Sequence, residues 1–83
     1  MPSRSLKPDS SLASLGEEVK ALRAEVGLTQ EGLAARADID PTYISHIERG
    51  ARNLSWAALS RISQGLGVPR WVLVKRVDES GRR

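Results

Sequence analysis

Residues 30–49 read QEGLAARADIDPTYISHIER, two short helical patterns with almost no chain left to connect them. In the first, Leu33, Ala34 and Ala37 recur at the spacing of one helical face, and Thr29 just upstream is a favourable N-cap. Gly32 lies inside this helix and costs about 1 kcal/mol relative to alanine, so the helix has to lean on its neighbours. In the second, Asp40 serves as N-cap and Pro41 takes the first helical position, where a missing N–H does no harm. Gly50 stops it. With only Asp38 and Ile39 between them, the two helices must cross steeply.

At about 100° per residue, Ile44, Ile47 and Glu48 fall on one side of the second helix, while Thr42, Ser45, His46 and Arg49 fall on the other. Tyr43 lies at the flank. A helix that merely faces water is usually solubilised by a mixture of Glu and Lys. Short hydroxyls, an imidazole and one guanidinium suit a face that meets another molecule.

Working outward, Leu12, Leu15, Val19, Leu22 and Val26 form the apolar stripe of a preceding helix that Gly27 closes. Downstream, Ser55 is the N-cap of a fourth helix with Leu59, Ile62 and Leu66 inward and Gly67 at its end. Val68 and Pro69 then lead into a short fifth helix, RWVLVKRV, whose run from Trp71 to Val74 is more apolar than one inward face requires. Residues 1–11, with two Pro and four Ser, are expected to be a disordered arm, residues 12–77 the folded domain, and residues 78–83 a frayed tail. The expected class is all-α, a compact five-helix domain.

Eighty-three residues suffice for one small domain, in which only about 60% of the unfolded surface can be buried. Cysteine is absent, so neither disulfides nor thiolate metal sites are available, and a reducing cytoplasm is the expected setting. Neither a signal-peptide run nor a membrane-spanning run is present, and no membrane partner is expected. The net charge of +3 is unevenly spread: residues 12–40 sum to −3 and residues 41–83 to +5. That polarity suits a domain turning its second half toward phosphates.

Five helices with an abrupt bend between the second and third fit a helix-turn-helix, in which the second helix of the pair enters the DNA major groove. Ala34 is the small residue where the two backbones approach, and Ile39 plugs the turn. The string LRAEVGLTQEGLAARADIDPTYISHIERGARNLS, residues 22–55, resembles the Cro/C1 (XRE-type) repressor class, and the resemblance runs from about Leu12 to Val74. Within that class, TYISxIERGxRNxS is most similar to controller proteins of restriction–modification systems. The resemblance implies a lambda-repressor-like fold and sequence-specific regulation of transcription.

The resemblance further implies an internal ion pair between Arg23 and Glu48, consistent with the inward place of Glu48 on the helical wheel. It implies a phosphate contact by Gln30 at the start of the second helix, and further phosphate contacts by Arg49, Arg52 and Asn53. Base reading then falls to Thr42, Tyr43, Ser45 and His46. For Tyr43, a half-buried packing role is an equal alternative. The chain departs from the pattern at Asp38, where the turn usually takes a left-handed Gly, and at Pro41, where controller proteins often carry an Arg able to pair with guanine.

No cofactor or metal is expected, because His46 is the lone histidine and no acid, base and nucleophile set assembles; the chain is not expected to be an enzyme. The expected partners are an operator in double-stranded DNA and a second copy of the chain, with RNA polymerase as a candidate third. Trp71, Val72 and Val74 are the candidate dimer interface, unless they close the domain's own core. The rival function is a protein-interaction adaptor on the same fold, of an antitoxin-like or coactivator kind.

Overall fold

The computed structural model describes the backbone of residues 8–80 and the side chains of residues 13–79. Its elements are five helices: α1 (Pro8–Glu25), α2 (Gln30–Ala37), α3 (Pro41–Glu48), α4 (Trp56–Leu66) and α5 (Arg70–Ser80). Each of the three central helices starts on a side-chain cap. Thr29 accepts from Gly32 N at 2.9 Å, Asp40 from Thr42 N at 2.8 Å and Ser55 from Ala58 N at 3.0 Å. Such caps contribute about 1 kcal/mol each and fix where each short helix begins.

The bend between α2 and α3 rests on Asp38, which takes a left-handed conformation at φ 56°. That conformation lets Ile39 N reach back to Ala34 O at 3.0 Å and ends α2 abruptly. The Ile39 side chain then packs against the core.

α1 packs on α3 and α5, α2 on α3 and α4, and α4 on α5. Leu33, Ile44, Ile47, Ile62, Leu73 and Val19 are fully buried where these helices meet. Backbones come close at Gly16: a Cβ there would stand 2.7 Å from Glu48 O, so α1 lies directly on the last turn of α3. The periodicity of α1 gave no sign that Gly16 was needed. Arg76 clamps α5 to α1, its Nε on Glu18 Oε1 at 3.0 Å and its Nη2 on Glu25 Oε2 at 2.9 Å. The hydrogen bond from Arg76 holds the Glu25 carboxyl below its ordinary 4.5. Stability from that bond is present above the ordinary value and is lost as pH falls through the lowered one. Solvent screens this pair, so its share is small.

Three boundaries differ from expectation. α1 begins at Pro8, inside the segment expected to be an arm, because proline tolerates the first turn of a helix. It ends at Glu25, so Val26 lies beyond its last turn and is 43% exposed rather than part of the inward stripe. α5 runs on to Ser80, past the expected start of the tail. Residues 1–7 and 81–83 of the expected arm and tail, and the Leu12 side chain, lie outside the described residues. No helix among the described residues is long and apolar enough to cross a membrane.

Two substitutions separate close approach from turn strain. Gly16→Ala is expected to lower stability to urea by about 1–3 kcal/mol, because backbone cannot yield as a side chain can. Asp38→Gly is expected to leave stability unchanged or raise it by up to about 1 kcal/mol. A loss at Asp38→Gly equal to that at Gly16→Ala would contradict this account of the bend.

Candidate nucleic-acid interface

α3 is held from behind. Ile44 and Ile47 have no exposed surface, and the Glu48 side chain is 3% exposed. Its carboxylate accepts from Arg23 Nε at 2.7 Å, Arg23 Nη2 at 3.0 Å and Gln30 Nε2 at 3.0 Å. Arg23 Nη1 donates onward to Leu28 O at 2.8 Å. The forked guanidinium matches the carboxylate edge to edge, which a lysine could not do. The hydrogen bond to Glu48 raises the Arg23 pKa further above its ordinary value. These bonds tie the end of α1, the start of α2 and the end of α3 to one buried group.

The outer face of α3 stands clear of the core. Thr42 and Arg49 are exposed, and Ser45 and His46 are half-buried between them. Arg49 Nη1 donates to Ser45 Oγ at 2.8 Å, across the outer face.

Tyr43 stands apart from these four. Its ring packs partly against the core, its hydroxyl donates to Asn53 O at 3.3 Å, and the Arg52 guanidinium lies over the ring at 4.9 Å. The tyrosine therefore supports the loop after α3 from the flank of the outer face. Asn53 turns its own Oδ1 back to Leu54 N at 2.8 Å, which leaves its amide N–H groups as donors. Gln30 is at the start of α2 as expected, but its Nε2 is engaged with Glu48. A phosphate there would have to share that nitrogen through its second N–H. The wheel could find the flank position of Tyr43; the contacts with Arg52 and Asn53 depend on the path of a loop that has no period.

A second exposed surface lies between α4 and α5. Trp71 is 64% exposed and Val74 49%, whereas Leu73 between them is fully buried. Val72 is half-buried against its own chain, so of the three interface candidates it offers the least free surface. Trp56, unmarked by the sequence reading, joins this surface at 65% exposed with Arg70 stacked on its ring at 4.8 Å. Ser63, 1% exposed, lines the same groove with no partner for its hydroxyl among the described residues.

The Arg23–Glu48 contact yields a cycle. Arg23→Met alone leaves a buried carboxylate short of donors and is expected to cost about 3–5 kcal/mol, whereas Arg23→Met with Glu48→Met should cost clearly less. Denaturant unfolding of the single and double variants measures this. A double variant less stable than Arg23→Met alone would show that the pair stabilises by more than mutual compensation.

A family model for the helix-turn-helix domain matches residues 14–73. Control protein C.MunI of a Mycoplasma species is 50% identical over 54 residues, covering 64% of this chain and 73% of that protein. The uncharacterized HTH-type transcriptional regulator y4dJ of Sinorhizobium fredii is 41% identical over 66 residues, covering 80% and 86%. Among solved structures, the restriction–modification controller protein C.Esp1396I, as a tetramer with its natural 35 base-pair operator, superposes with a TM-score of 0.81 at 37% identity, covering 88% of this chain and 96% of that one. The tight turn at Asp38 between α2 and α3, the α3 rear held by Arg23 and Glu48, and these likenesses agree: the chain belongs to the helix-turn-helix domain family, where it is similar to the control proteins of restriction–modification systems.

Proposed function

We propose that the protein is a sequence-specific regulator of transcription that binds double-stranded DNA as a homodimer, of the restriction–modification control type. The observation that carries this reading is the two-sided character of α3: apolar and ionic anchors on one side, and on the other exposed Thr42 and Arg49 with half-buried Ser45 and His46 between them. C.Esp1396I, a protein of similar structure, is bound to an operator.

In this reading α3 enters the major groove, and Thr42, Ser45 and His46 meet base edges. Short hydroxyls allow close approach. Arg52, carried on the Tyr43 ring, and the Asn53 amide meet the flanking backbone, while Gln30 and the N–H groups opening α2 meet a phosphate on the other side. The basic second half of the sequence supplies the long-range attraction.

One such domain reads only a few base pairs. The exposed Trp71 and Val74, with Trp56 beside them, would pair with the same surface of a second copy, setting two α3 helices about 34 Å apart on one side of the duplex. Activation would add RNA polymerase as a partner, which transcription from purified components checks. The protein works in the cytoplasm, where its DNA lies.

Binding that neutralises several phosphates should weaken steeply as salt rises, whereas an adaptor's apolar contact should not. Arg52→Ala is expected to weaken binding to all duplexes alike and to reduce the salt slope by about one. Thr42→Ala combined with His46→Ala should instead erode the preference for the selected site over random DNA by about 1–3 kcal/mol. A double variant with undiminished preference would refute the reading face. Trp71→Ala should shift sedimentation toward monomer at micromolar concentration; an unchanged dimer would place the interface elsewhere.

A further inference from the structure

The outer stripe of α3 carries a single long cationic donor, and we propose that this residue, Arg49, reads a guanine in each half-site instead of gripping a flanking phosphate. The inference rests on the DNA-binding function above and assigns a specificity-determining residue within it.

Three observations carry it. Arg49 continues the helical register of α3 as its C-cap, with right-handed backbone angles. Seven residues after Thr42, it therefore lies within about 20° of the same azimuth, in the middle of the reading stripe. Second, its Nη1 donates to Ser45 Oγ, 2.8 Å away and four residues back, which lays the guanidinium along the stripe toward the helix N-terminus. An arm directed sideways at a neighbouring phosphate would not make that bond. Third, the partner is a neutral hydroxyl that leaves the positive charge uncompensated, and among the described residues the other four guanidinium N–H bonds have no partner.

No other group on this stripe presents two parallel N–H donors. Thr42 and Ser45 have one hydroxyl each, His46 has an imidazole, and Pro41 lacks both a side-chain donor and an N–H. Guanine offers adjacent acceptors, O6 and N7, on its major-groove edge, which a guanidinium fits bidentately. Ser45 then acts as a positioning residue that points Arg49 at the base.

The test is selection of bound duplexes from random sequence by the wild type, Arg49→Ala, Arg49→Lys and Ser45→Ala, followed by replacing the selected guanine with 7-deazaguanine, which lacks the N7 acceptor. The wild-type site is expected to hold a guanine at one fixed position in both halves, and its loss should cost about 10- to 100-fold in affinity. Arg49→Ala should lose preference at that position alone and become indifferent to 7-deazaguanine. Arg49→Lys, with its charge intact, should lose most of the preference, and Ser45→Ala part of it. The proposal is overturned if Arg49→Ala weakens every sequence equally, Arg49→Lys restores binding, and no position loses its preference. A wild type that enriches no sequence would refute the regulatory function itself, a separately recognisable result.

Discussion

A carboxylate removed from water needs donors, and in this domain Glu48 receives them from Arg23 and Gln30. The arrangement does more than compensate a buried charge. α3 has only eight residues, too few to persist on its own, and its last turn is fastened to α1 and α2 by this one group. The isoleucines set how deeply α3 is embedded, and the carboxylate sets its rotation. Replacing the network with apolar side chains of equal volume can preserve stability, but it removes the directional bonds that, together with Ile44 and Ile47, fix the angle at which Thr42 and Ser45 face outward. Gly16 completes the constraint by letting α1 lie against the carbonyls of that same turn.

The same helix α1 also seats α5. In the proposed dimer, the separation of the two α3 helices would be set by the position of α5. α5 is seated by Leu73 in the core and by Arg76 between Glu18 and Glu25 of α1. Because α1 also carries Arg23, the same helix connects the group that aligns α3 with the group that seats α5, where the proposed pairing surface lies. Reading face and pairing face are thus referenced to one element.

Much of this was legible in the sequence, for identifiable reasons. The capping residues Thr29, Asp40 and Ser55 mark helix starts, and the helical period of Ile44, Ile47 and Glu48 separates the rear of α3 from its front. Asp38 could be named as the left-handed residue because it stands where the helix-turn-helix pattern usually takes a Gly. What escaped was tertiary. The seat of Tyr43 beneath Arg52 depends on the path of the loop after α3. The hold of Gln30 on Glu48 joins residues from different helices, and the bond from Arg49 to Ser45 depends on a rotamer. Trp56 was hidden because a lone aromatic beside an N-cap carries no pattern; only the packing of α5 against α4 sets it beside Trp71.

The most direct test is an NMR titration of the isotopically labelled protein with its selected duplex. The amide signals of Thr42, Ser45, His46 and Arg49, with those opening α2, are expected to move most, while the Trp56 and Trp71 indole signals stay in place. Shifts centred on the two indoles or on the acidic side of α1, with α3 silent, would contradict a reading face on α3.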